Sequence, residues 1–184
     1  QHFLGLNYLK GKYISKSNHP QALKYFYRAA DRGYLPSQYY LGEMYLKGIG
    51  CAKNLEKGFS LFYLAAEYGY APAKRKVGVC FRYGEGVMKN IKEAAKWTSL
   101  AAKSHDIIAM FHYAGILIDG FGVRKDISEG YYWLRKAFFK TEEKLLADPV
   151  LEFKNEIDEE LAQIYGYIHL VISQESDFSL KDKN

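Results

Sequence analysis

Four stretches of the chain share one pattern of apolar, small and polar positions: FLGLNYLKGKY, YLGEMYLKGIG, KVGVCFRYGEG and HYAGILIDGFG. A second stretch follows each of them: QALKYFYRAADRGY, KGFSLFYLAAEYGY, EAAKWTSLAAKSHD and EGYYWLRKAFFKTE. The small pairs that begin at Ala29, Ala65, Ala101 and Ala137 recur in steps of 36 residues. The series Gly5, Gly42, Gly78, Ala114 recurs in steps of 37, 36 and 36. Agreement at independent positions marks a true internal repeat, and a period of this length belongs to stacked helical pairs.

Each unit reads as helix A, turn, helix B. In the second unit the pattern predicts helix A from about Pro36 to Lys47, with Leu41, Met44 and Tyr45 facing inward at helical spacing. Gly42 offers no side chain, so a partner helix can come close there. Gly48 suits the left-handed residue that ends a helix, and with Gly50 it makes a tight G-x-G elbow, repeated at Gly84 and Gly86 and at Gly120 and Gly122. Asn18, Asn54, Asn90 and Asp126 stand before each B pattern as N-caps. Gln21, Glu93 and Glu129, three residues on, resemble the reciprocal half of a capping box, which Lys57 breaks in the second unit. Helix B carries Tyr25, Leu61, Trp97 and Trp133 at equivalent sites, and the two tryptophans read as core. Gly33 and Gly69 end the first two B helices, and His105 holds that place in the third.

One such unit cannot bury its apolar side alone, so the units must stack. The expected organisation is a repeat array over residues 1–140, with units at about 1–34, 35–70, 71–106 and 107–140, then a capping-helix region over 141–175 and a flexible tail over 176–184. Within that region Asp148-Pro149 is a helix start. Leu151, Ile157, Leu161, Ile164, Tyr165, Ile168 and Ile172 trace one stripe up to about Ser173, on a helix that seals the stack or takes part in oligomerisation.

Composition narrows the function. The 26 basic side chains exceed the 21 acidic ones by five, but no run of like charge demands a nucleic-acid partner. An RNA-binding solenoid would need a repeated base code and a more continuous basic face. No apolar run is long enough to span a membrane. The pattern is already helical at Gln1, so the chain reads as a segment of a longer protein, and both a cytoplasmic and a secreted location stay open. Cys51 and Cys80 fit no metal or redox spacing and read as unpaired thiols. The five histidines are scattered and form no metal motif, and the paired glycines recur with the repeat and cradle no phosphate. No catalytic residue, cofactor or metal is assigned.

The units quoted above resemble the Sel-one-like repeat family, whose pattern is Y-x-L-G-x-x-Y, a G-x-G-V turn, a Lys-Asp or Lys-Asn step and A-x-x-W-x-x-x-A-A-x-x-G. The match covers about residues 1–140; Ser104, His105 and Phe138 depart from it locally. The resemblance implies an all-α fold, a right-handed α/α superhelix, and a non-catalytic scaffold or adaptor of the kind used in signalling, protein quality control and bacterial virulence. It also implies that helix A lines a concave face. The outward positions there are His2, Leu6, Leu9 and Lys10, then Tyr39, Glu43, Leu46 and Lys47, then Arg75, Val79, Arg82 and Tyr83, and finally Phe111, Gly115, Ile118 and Asp119. Of these, Tyr39, Glu43, Lys47, Arg75, Val79, Arg82, Phe111 and Ile118 are the expected partner-binding residues, for a protein segment bearing acidic side chains.

Overall fold

The computed structural model describes residues 1–10 and 18–147, which form eight α-helices and, among the described residues, no strand. The helices are α1 (His2–Lys10), α2 (His19–Ala30), α3 (Leu35–Lys47), α4 (Leu55–Glu67), α5 (Ala71–Tyr83), α6 (Ile91–Lys103), α7 (Ile107–Asp119) and α8 (Ile127–Ala147). They divide into two compact units, residues 1–104 with α1–α6 and a second unit from His105 with α7 and α8. Odd-numbered helices are the A helices and even-numbered ones the B helices. The Gly11 turn and the amphipathic stretch expected from Pro149 to Ser173 lie outside the described residues.

All four N-caps form. The side-chain oxygens of Asn18, Asn54 and Asp126 accept from the backbone N–H groups of Gln21, Lys57 and Glu129 at 3.1, 2.8 and 2.9 Å. Asn90 accepts from Lys92 and Glu93. The expected capping box is not how the other side is closed. Each cap residue donates its own N–H to a carbonyl of the A helix before it: Asn18 to Tyr8, Asn54 to Tyr45, Asn90 to Phe81 and Asp126 to Leu117, all at 2.8–2.9 Å. The donor that a capping-box carboxylate would satisfy is therefore already used, which is why Lys57 is tolerated. The carboxylates are engaged elsewhere: Glu129 accepts from the Trp133 indole at 3.3 Å, and Glu93 pairs with Lys96.

Helices A and B cross where one side is too small to keep them apart. A Cβ on Gly42 would lie 2.7 Å from the Phe62 ring, and one on Gly5 would lie 2.8 Å from Phe26. Both rings are wholly buried; burial of a Phe side chain is worth roughly 1.5–3 kcal/mol. In the third repeat Gly78 faces the Thr98 hydroxyl instead. The fourth reverses the pair: Ala114 on α7 carries the methyl and Gly130 on α8 supplies the room, with Ala114 O 3.1 Å from where its Cβ would stand.

The elbow glycines divide two tasks. Gly48, Gly84 and Gly120 adopt φ of 73–77° and return an N–H to the helix they end. The second glycine meets the neighbouring repeat: a Cβ on Gly50 would lie 2.7 Å from the His19 backbone, and one on Gly86 would overlap the Leu55 carbonyl. The elbows at Gly50 and Gly86 thus seat on the starts of the preceding B helices, α2 and α4.

B helices end by the residue at one fixed position. Gly33 and Gly69 take positive φ, and His105 does so too at 66°, in the place the sequence assigned to it. Thr141 holds the same position in the fourth repeat. A β-branched residue is poorly suited to that conformation; its hydroxyl instead donates to Ala137 O at 2.8 Å and α8 runs on to Ala147, past the point where the repeat pattern fades. Two substitutions test these devices by chemical denaturation. Asn54→Ala is expected to cost about 1 kcal/mol. Gly86→Ala, which combines positive φ with a backbone clash, is expected to cost about 1–3 kcal/mol; unchanged stability in it would show that the elbow does not seat on α4.

Candidate functional site

The A helices of the first unit lie side by side. His2 Nδ1 is 2.8 Å from Ser37 Oγ, joining α1 to α3. Glu43 joins α3 to α5: its Oε1 is 2.8 Å from Lys76 Nζ, while its Oε2 is 3.2 Å from Lys47 Nζ, one turn along its own helix. The carboxylate is the sheltered member, 15% exposed against 47% for Lys47 and 23% for Lys76. Burial alone would raise its pKa, but Lys76 and Lys47 outweigh that and hold it below the usual glutamate range.

The other expected residues are placed unevenly. Tyr39 and Arg75 hold the same position in successive repeats, and both are buried, at 8% and 6% exposure. Tyr39 does not face outward because its position points along the stack. It packs with Phe62, Ala73 and Val77 in the core shared by α3, α4 and α5, and meets Tyr70 edge-on. Burial pushes its phenol well above the usual range, and Glu43 adds to that. Val79 is half-buried, and Arg82 is exposed with its guanidinium 5.6 Å from the Tyr83 ring. In the second unit Phe111 and Ile118 are half-buried, and Ile118 packs over Gly130.

Sequence reasoning missed Lys76, which stands directly before the Val-Gly of its repeat. Its signal was the charge count taken by helix. The A helices α1, α3 and α5 carry Lys10, Lys47, Lys74, Arg75, Lys76 and Arg82 against the single acid Glu43. That surplus of five equals the surplus of the whole chain, so the remaining basic and acidic side chains balance. Helix α7 has no Lys or Arg and ends in Asp119.

The repeat family model for the Sel1 repeat matches residues 1–34, 35–70, 71–106 and 107–138. The chain belongs to the Sel1 repeat family. Its fold is accordingly an all-α solenoid of repeats. It is similar to the crystal structure of a Sel1 repeat protein from Oxalobacter formigenes, with 31% identity and a TM-score of 0.67 over 79% of this chain and 60% of that one. It is also similar to c5321, a protective antigen of uropathogenic Escherichia coli with an SLR fold. There the identity is 25% and the TM-score 0.71, over 90% of this chain and 37% of that one. This Sel1 repeat chain thus spans less than two thirds of the first structure's length and little over a third of the second's. No curated protein matches it in sequence. Sel1 repeat proteins generally act as protein–protein interaction scaffolds, typically without catalysis.

The side chains best suited to chemistry in this Sel1 repeat chain are held in structural contacts. A cleft of the second unit is lined by Tyr113, Leu117 and residues 123–127 and 129. Its two carboxylates are Asp126, which caps α8, and Glu129, which holds Trp133. Cys51 and Cys80 are not disulfide-bonded. Burial pushes the Cys80 thiol up to about 12, the opposite of an activated nucleophile. Among the described residues no group of three or more His, Cys, Asp or Glu side chains could hold a metal ion, and no helix is long and apolar enough to cross a membrane.

Glu43 gives the first unit an acid-sensitive tie between repeats. Its carboxyl is lower in the folded chain than in the unfolded one, so the unfolded chain binds the extra proton. The stabilisation is complete above the ordinary glutamate value of about 4.3 and is lost as pH falls through the lower folded value. Urea titrations from pH 6 downward are expected to show wild type losing more stability than Glu43→Gln across that window; parallel curves would refute the linkage. Thiol labelling of the native chain is expected to modify Cys51, which is half-buried, well before Cys80, which is 1% exposed.

Proposed function

We propose that this Sel1 repeat chain is a non-catalytic adaptor whose first unit binds an acidic segment of a partner protein along α1, α3 and α5. The observation that supports this reading most is the concentration of the chain's entire positive surplus on those three helices. Such a field steers an acidic segment toward the face and raises its rate of association. The anchors of the face are Lys47, Lys76 and Arg82, together with the half-buried Val79 and the exposed Tyr83. Arginine and tyrosine are favoured interface residues because they bury much area for few lost rotamers. Tyr39 and Arg75 support the face from within.

Charge reversal tests this reading best at Lys47 and Arg82, which are exposed, and not at Arg75, whose burial would confuse binding with folding. Wild type and Lys47→Glu/Arg82→Glu are immobilised side by side, and the proteins they retain are compared. The reading expects acidic proteins held by wild type to be lost from the variant at unchanged helical content, and expects rising salt to weaken wild-type retention. Equal recovery by both would reject the A-helix face as the binding surface.

A further inference from the structure

We infer that a groove on α8 is the seat of this chain's own residues 149–173, docked as the A helix of a fifth repeat. The inference is independent of where a partner protein binds. In a stack of repeats each B helix is covered by the repeat that follows it. The Phe59 ring of α4 meets Phe81 of α5 edge-on at 5.5 Å, and Tyr63 meets Trp97 of α6 at 5.3 Å. Two 36-residue steps further along the chain, those two B-helix positions are Tyr131 and Arg135. Among the described residues no helix follows α8. The groove is lined by Tyr131, Tyr132, Arg135, Lys136, Phe139 and Lys140, and Tyr132 and Phe139 are 57% and 58% exposed.

The sequence beyond Ala147 carries what such a seat requires. The A helices share a core of one apolar residue, one small residue and a second apolar residue three further on: Leu4-Gly5-x-x-Tyr8, Leu41-Gly42-x-x-Tyr45, Val77-Gly78-x-x-Phe81 and Tyr113-Ala114-x-x-Leu117. Leu161-Ala162-x-x-Tyr165 repeats that core within the amphipathic stretch after Pro149. Tyr165 then holds the place of Phe81, and its partner ring is Tyr131, the counterpart of Phe59. The interval to this core is longer than 36 residues, and α8, which runs past Thr141 to Ala147, takes up part of the difference. Charge agrees as well. The groove presents Arg135, Lys136 and Lys140 against the one acid Glu143, whereas residues 148–160 hold Asp148, Glu152, Glu156, Asp158, Glu159 and Glu160 against the one base Lys154. Complementary charge of this kind fixes the orientation in which two surfaces meet.

Hydrogen exchange of the whole chain, read peptide by peptide by mass spectrometry, tests the seat. In wild type the amides of residues 156–172 are expected to exchange at least roughly tenfold more slowly than in a synthetic peptide of the same sequence. Arg135→Glu/Phe139→Glu changes two exposed positions of α8. It is expected to abolish that protection while α3 to α6 keep theirs. Tyr165→Ala leaves the surface of α8 intact, so it keeps the test decisive if the α8 variant fails to fold. It is expected to speed exchange both in residues 156–172 and in residues 131–140. Exchange of residues 156–172 in wild type at the rate of the free peptide would overturn the inference. Protection that survives both variants would overturn it too, since the segment would then be held elsewhere. Protection lost on dilution would make the occupant a second copy of the chain, and would overturn it equally.

Discussion

The residue before each B helix holds its repeat together from both ends of one amino acid. In the second repeat the Asn54 side chain closes the first turn of α4, while its backbone N–H reaches back to the Tyr45 carbonyl of α3. A free N–H at a helix start and an uncapped carbonyl at a helix end are both costly when sheltered from water. One residue satisfies both, and so fixes the angle at which the two helices leave the elbow. The Gly42–Phe62 crossing, the buried alanine pairs and the position of every outward side chain follow from that angle.

Much of this was legible in the sequence because it depends on backbone geometry, which only a few residue types permit. Glycines at positive φ, Asn and Asp at caps and small residues at crossings leave a periodic trace. The structure agrees with that trace at Gly48, Asn90 and Gly78, and even at the left-handed His105. Periodicity fails where a position is equivalent in sequence but its neighbours differ. Glu93 and Glu129 looked like capping-box partners, yet the donor they would have satisfied was taken by a carbonyl nine residues earlier in the chain. Thr141 sits where a helix stop is due, and the helix continues.

The proposed binding face was harder to read for a related reason. A repeat pattern tells which residues share a position, but not whether that position faces solvent or the next repeat. Tyr39 and Arg75 share one that turns inward. Lys76 was overlooked because a half-buried lysine next to a Val-Gly pair carries no motif; its role shows only when its ammonium is seen 2.8 Å from a glutamate of the preceding repeat. Charge summed by helix would have singled out α1, α3 and α5 without coordinates. The physical reason is that burial is settled by packing, whereas a net field is additive over whatever packing allows.

The seating of Gly50 on α2 and of Gly86 on α4 has an evolutionary consequence. An inserted or deleted residue in such an elbow would lift the second glycine off the helix start beneath it and misalign the next pair. Neighbours would tolerate the loss or gain of a complete helical pair far better, because the same seat is then presented again. Genes for chains of this design are therefore expected to change length by duplication or excision of whole 36-residue blocks, with single-codon indels confined to places where no neighbouring backbone must be met.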